Sequence, residues 1–182
     1  AQPRLYDYVY RSRTKQAVRR QLDLKSRKPL LHVSGMYPAA QGCLAVVAPV
    51  CPHPTDSNGV IVYDLRLDPD DWIDLSDEEI RARLFTSNKL LPEGVCRIPL
   101  KTIHTNKCPI LTAPTVLSSE LALQYGINEE RIRAHWDKMM QMPHLAEKVS
   151  NALRREDLPK PDDPDFMIYS GGFFNDGDKE LM

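Results

Sequence analysis

The sequence has no long hydrophobic run. Its longest uncharged apolar stretch, Gly42 to Val50, is about half of the roughly 18 residues a membrane-crossing helix needs, which excludes such a span. Cysteine is scarce, and Cys43, Cys51, Cys96 and Cys108 form no CxxC pair. Four thiols in 182 residues are too few to frame a disulfide-stapled secreted domain. They read as reduced thiols of a cytoplasmic protein, with Cys43 and Cys96 expected in strands as small hydrophobes. No basic-apolar-small signal pattern follows Ala1, and there is no internal repeat. Net charge is also nearly absent, at −1.

That balance conceals a polar molecule. Residues 1–28 carry nine Lys or Arg against two Asp, a net of +7, whereas residues 56–79 carry nine acids against Arg66, a net of −8. Such asymmetry gives one face suited to anions. Hydrophobic residues make up 42% of the chain and charged residues 27%, which is enough for a core and excludes global disorder. A mass of 20.8 kDa suits one domain or slightly more. The chain opens on a polar helical stretch and stops after Phe173, Phe174, Asp176 and Asp178 without a terminator. It is expected to be a segment of something longer.

Periodicity predicts a helix over residues 3–22, with Leu5, Tyr8, Val9, Val18 and Leu22 three or four apart. Strands follow at Leu30–Ser34, Cys43–Val50 and Val60–Leu65, separated by Gly35, by Pro52-His53-Pro54 and by Asn58-Gly59. Asn58-Gly59 is a hairpin signal. Ser76 and Glu79 form a capping box for a helix through Ile80, Leu84 and Phe85. Val95–His104 reads as an edge or bulged strand because of Pro99.

The last third is helical. Ser118 or Ser119 caps a helix ended by Gly126, and Asn128 caps one with Ile132, Trp136, Met139 and Met140 on one face. Pro143 is expected as first residue of a third, carrying Leu145, Val149 and Leu153. Residues 158–165 hold three prolines and three aspartates and read as an extended linker. Strands in the middle, with helices before and after, predict an α+β fold around a small antiparallel sheet or barrel.

Fragments of several chemistries are present. Cys51, His53, His104 and Cys108 are zinc-ligand types, but only His104-x-x-x-Cys108 has a usable spacing, so buried thiols and loop histidines are the better account. Ser34-Gly35 and Ser170-Gly171-Gly172 complete no GxSxG elbow. Cys108 beside Lys107 and near His104 lacks a third group to orient a base. Asp68, Asp70, Asp71 and Asp74 crowd one loop around Trp72, whereas two-metal sites gather acids from separate elements. The expectation is therefore no catalytic residue, no metal ligand and no cofactor in this chain.

Nucleic-acid binding is the remaining class. Arg4, Arg11, Arg13, Lys15, Arg19, Arg20, Lys25, Arg27 and Lys28 are interleaved with Tyr6, Tyr8 and Tyr10. Basic groups neutralise phosphates and aromatic rings stack on unpaired bases. The competing account is a solvated helix face with its tyrosines in the core. His104, Asn106 and Lys107 form a second polar set able to donate to phosphates.

The ordered runs Gln2-Pro3-Arg4-Leu5-Tyr6-Asp7-Tyr8, Lys28-Pro29-Leu30-Leu31-His32-Val33-Ser34-Gly35-Met36, Val47-Ala48-Pro49 and His104-Thr105-Asn106-Lys107-Cys108-Pro109-Ile110-Leu111 resemble bacterial exodeoxyribonuclease I. Gly126-Ile127-Asn128 and Tyr169-Ser170-Gly171-Gly172-Phe173-Phe174 extend the likeness. It covers the whole chain but only the middle of the family's protein. The resemblance implies an SH3-like barrel with flanking helices over residues 1–155, and a linker over 156–182 toward a C-terminal helical domain. The DnaQ-like domain, whose acids and histidine bind two magnesium ions, is outside this sequence.

Family members degrade single-stranded DNA processively from its 3′ end. The SH3-like and helical domains close a positively charged passage, and the acidic, hydrophobic C-terminal tail of single-stranded DNA-binding protein docks near the seam with the catalytic domain. The resemblance thus implies single-stranded DNA and that tail as partners, a monomeric parent and no membrane. Expected DNA-binding residues are Arg4, Arg11, Arg13, His104, Asn106 and Lys107. Expected tail-binding residues are Tyr8 and Lys28, which match family positions, with Arg131 and Arg133 as compensating cations. The sequence departs from the family at Ala113 and Ser118, where members carry Gln and Arg, and at Met140, where a helix Arg is usual. A module that only packs on the catalytic domain, without touching DNA, is the rival expectation.

Overall fold

Alternating apolar residues along five short strands give one sheet two buried faces, and the helices divide between them. The computed structural model describes residues 3–87 and 90–154. Two helices, α1 (Pro3–Ser12) and α2 (Lys15–Gln21), precede β1 (Leu30–Val33), β2 (Leu44–Pro52) and β3 (Gly59–Asp64). Then come α3 (Asp77–Phe85), β4 (Leu100–His104), β5 (Ile110–Thr112), α4 (Ser119–Gln124), α5 (Glu129–Met140) and α6 (Leu145–Leu153). The sheet is antiparallel in the order β4-β3-β2-β1-β5 and curls into a half-barrel. The α+β, SH3-like expectation holds.

Strand parity decides which residues face which way. Leu30, Ala45, Val47, Val62, Ile103 and Leu111 meet in one cluster with Val18 and Leu22 of the α2 segment. Because this cluster joins β4 and β5, the two edge strands, it marks the concave face. The larger cluster on the other face holds Leu31, Val46, Ala48, Val50, Ile61 and Tyr63 beneath residues of α3, α5 and α6. Ile61, Val62 and Tyr63 are essentially inaccessible to water, and each such side chain contributes about 1.5–3 kcal/mol of burial. Pro49, which has no N–H, sits at a register shift in the β2–β3 ladder.

The capping box is present as read: Ser76 Oγ accepts from the Glu79 N–H, and the Glu79 carboxylate accepts from the Ser76 N–H at 2.8 Å. Asn128 Oδ1 accepts from the Arg131 N–H at 2.9 Å and opens α5. Gly126, at φ +72°, ends α4, and Ile127 N–H reaches back to the Ala122 carbonyl at 2.8 Å. The Asn58-Gly59 hairpin exists, but as a six-residue loop rather than a two-residue turn. A Cβ on Gly59 would lie 2.7 Å from that of His53, so close approach is what demands glycine there.

Other expectations shift. The first helix is two, because Thr14 is extended and its hydroxyl caps α2 by accepting from the Ala17 N–H at 3.3 Å. Tyr6, Tyr8 and Tyr10 are exposed, which removes the account that put them in the core. The predicted strand from Val95 starts only at Leu100. Cys96 is therefore in an exposed loop, and Cys43 precedes β2 with φ +56°. On α5, His135 joins Ile132 and Met139 in the interior, while Met140 faces solvent. Pro143 lies before the His144 cap rather than inside α6. The expected linker from residue 156 and the motif at Tyr169 lie outside the described residues. Among the described residues, no helix is long and apolar enough to cross a membrane.

Candidate nucleic-acid interface

Amphipathic α1 lays its basic and aromatic residues toward water because its register gives the sheet little to bury. Arg4, Asp7, Tyr8, Arg11 and Ser12 join Ala17 and Arg20 of α2 around an open cleft of about 640 Å³. Tyr8 is tied to the edge strand β5 by a 3.2 Å hydroxyl–hydroxyl hydrogen bond with Thr112. Tyr6 and Tyr10, one helical turn apart, stack with ring centres 6.2 Å apart.

Arg13 leaves that cleft. Its Nε donates to the Cys108 carbonyl at 2.7 Å, bridging α1 to the β4–β5 turn, where Cys108 itself adopts φ +47°. Arg13, His104 and Lys107 thereby line a second cleft of about 710 Å³, together with His32, Ser34, Met36 and Lys101. Among the described residues, no carboxylate lines it. His104 Nδ1 pairs with Asp56 at 3.0 Å. The Asp56 carboxyl is held below its usual range, chiefly by the Asn58 N–H and secondarily by His104. Asn106 is exposed on the same turn. The expected DNA set thus divides, with Arg4 and Arg11 on one cleft and Arg13, His104 and Lys107 on the other.

Lys28, Arg131 and Arg133 are exposed and line neither cleft. Lys28 follows Arg27, whose carbonyl accepts from the Trp136 indole at 2.7 Å; this ties the loop after α2 to α5, the helix that carries Arg131 and Arg133. Ala113 and Ser118 flank the turn before α4, where the Ser118 hydroxyl caps the helix.

Two residues of the second cleft, Lys101 and His32, and their neighbour Tyr37 were not singled out from sequence. Lys101 shares its strand parity with buried Ile103, so it faces the concave side and donates to Ser34 Oγ at 3.0 Å. Its ammonium stands 4.0 Å from the centre of the Tyr37 ring. Burial pushes its pKa down, against a smaller opposing pull from Asp64. Tyr37 contacts His32, hydroxyl to Nδ1, at 2.9 Å, and burial followed by the Lys101 charge lowers the imidazole pKa to about 4. A cation with inward parity in a strand is the signal that could have pointed to this site, but the strand predicted to end at His104 assigns Lys101 to neither face.

The acidic loop behaves differently. Lys138 donates to both Asp68 oxygens, at 2.9 and 2.8 Å, and also to Asp70. Cys51 is buried in the sheet, and His53 Nδ1 accepts from the Asp56 N–H at 3.1 Å. Among the described residues, no three His, Cys, Asp or Glu side chains are gathered as a metal site.

Comparison with known proteins places this geometry. The exonuclease I SH3-like domain family matches residues 13–155. Over 182 residues the chain is 35% identical to exodeoxyribonuclease I of Escherichia coli, covering all of this chain and 38% of that protein. It is 36% identical over 183 residues to exodeoxyribonuclease I of Haemophilus influenzae, with the same coverage. The chain therefore spans well under half the length of these relatives. Among solved structures, exonuclease I of Methylocaldum szegediense superposes with a TM-score of 0.83 at 39% identity, over 99% of this chain and 37% of that one. Escherichia coli exonuclease I in complex with a 5cy-dT13 oligonucleotide gives 0.82 at 35% identity, over 99% of this chain and 38% of that one.

Proposed function

This chain belongs to the exonuclease I SH3-like domain family, and from that premise we propose that it is the non-catalytic SH3-like part of a 3′→5′ single-strand-specific exodeoxyribonuclease. Its role is to hold single-stranded DNA for processive degradation and to dock the C-terminal tail of single-stranded DNA-binding protein, in DNA repair and recombination. The parent enzyme is monomeric and cytoplasmic, with residues 1–155 as the SH3-like unit and 156–182 leading to a helical domain. Magnesium belongs to the catalytic domain. In the acidic loop of this chain, Asp68 and Asp70 already share Lys138 and do not suit it.

The observation that carries the reading is the second cleft, where Arg13, Lys101, His104 and Lys107 converge with no lining carboxylate among the described residues. A strand of phosphates is the ligand such a cleft favours, because each neutralised phosphate releases counterions. Support for tail docking is Tyr8, exposed beside a basic cleft, since an anionic tail with an aromatic end needs a basic rim and an apolar floor. Anisotropy titration of a labelled oligothymidylate tests the DNA role. Expected is weak binding that falls with salt at a log–log slope of about −0.7 per phosphate contact, with no magnesium-dependent degradation. Absence of binding at low salt favours the rival module that only packs on the catalytic domain.

A further inference from the structure

We propose that Lys101 is the phosphate-holding residue of this domain, taking one phosphodiester of an unpaired strand that crosses the mouth of the half-barrel from Arg13 and Lys107 toward Arg97. The proposal rests on the single-strand-holding reading above and adds to it a path and a central residue. One end of the concave face is filled by Val18 and Leu22. Toward the other end the same face turns polar, because His32, Asp64 and Lys101 continue the parity of Leu30, Val62 and Ile103. Polar residues there leave a mouth where a barrel end would otherwise close.

An ammonium has three donors. At Lys101 one goes to Ser34 and the Tyr37 ring covers a side, and among the described residues no carboxylate pairs with it. The nearby acid, Asp64, is engaged by Arg66 in a two-pronged pair, Nε to Oδ1 at 2.9 Å and Nη2 to Oδ2 at 2.5 Å. The cation is thus partly desolvated, fixed by an aromatic face and short of an anion. A partly buried charge without a counter-charge is costly, and an arriving phosphate oxygen relieves that cost.

Continuity supplies the path. A further groove of about 310 Å³, lined by Met36, Tyr37, Asp64, Arg97 and Lys101 among others, shares Met36, Leu100 and Lys101 with the second cleft. Lys101 stands at the junction, with Arg13, His104 and Lys107 on one side and Arg97 on the other. Met36, 82% exposed, stands on both rims as an apolar contact for a base. A single carboxylate would need only one of these cations, whereas a chain of phosphates meets them in turn.

The test uses Lys101→Met, which keeps the aliphatic stem on Tyr37, and Lys101→Arg, which restores the charge. With a labelled oligothymidylate, Lys101→Met is expected to weaken binding about five-fold at low salt and flatten the salt slope by about 0.7, one single-strand contact. Lys101→Arg should recover most of both. A variant-free arm follows acetylation of each lysine in the unmodified chain, where oligonucleotide should protect Lys101 and leave Lys28 unchanged. An unaltered slope in Lys101→Met, or equal Lys101 acetylation with and without DNA, overturns the proposal while leaving the DNA-holding role intact. If the unmodified chain binds no oligonucleotide, that role fails, and this assignment fails with it.

Discussion

The two faces of the sheet are built from the same strands and do different work. Under α3, α5 and α6 lies a broad hydrocarbon core in which nearly every inward residue is apolar. The concave face buries a smaller cluster and then changes character, ending in His32, Ser34, Tyr37, Asp64 and Lys101. One face holds the fold together. The other is only half committed to doing so, which frees its mouth for a ligand, and that division matches the observation that functional sites keep locally costly groups.

Adjacent residues of β3 give the strongest way to break this comparison. Ile61 faces the large core and Val62 the small one, and both are fully buried. Urea midpoints should show Ile61→Ala destabilising the chain by about 4 kcal/mol and Val62→Ala by about 2 kcal/mol, the difference reflecting the methylenes removed and the cavity left. Val62→Ala should also lower oligonucleotide affinity, because it loosens the floor beneath the mouth. Equal destabilisation with unchanged binding in both would remove the functional distinction between the faces.

Acid should act on the concave face through His32. Burial holds its folded pKa at about 4, below the ordinary imidazole value of 6.5, so the unfolded chain takes up the proton first as pH falls. Stability is fully present above about pH 6.5 and declines toward pH 4, by about 2 kcal/mol after allowance for partial solvent screening. Comparing urea unfolding at pH 7 and pH 4 for the parent chain and His32→Gln isolates this share. A His32→Gln chain that loses as much stability as the parent shows that the acid sensitivity arises elsewhere.

Much of the outer face was legible in the sequence, because caps and 3.6-residue periodicity are local. Ser76 with Glu79, Asn128 and Gly126 each fixed a helix end by chemistry confined to a few residues. The concave site was less legible. Its members come from β1, the loop after it and β4, and only the curl of the sheet brings His32, Tyr37 and Lys101 together. β5 has three residues, too few for alternation to register. The basic opening was visible as composition, but its break at Thr14 was not. That break lets Arg13 reach the Cys108 carbonyl while Arg4 and Arg11 stay on a different cleft.

The smallest effect concerns Arg131 and Arg133. They lie on α5, whose buried residues Ile132 and Met139 belong to the outer core, and they line neither cleft. A charge beyond about 8–10 Å of solvent from the DNA path is largely screened at physiological salt. The double change Arg131→Ala with Arg133→Ala should therefore leave oligonucleotide affinity within about two-fold and the salt slope unaltered. Stability should move by less than about 0.5 kcal/mol, since both are exposed. If DNA affinity drops about five-fold, as expected for Lys101→Met, the strand passes over the outer helices as well, and the division of labour between the faces is wrong.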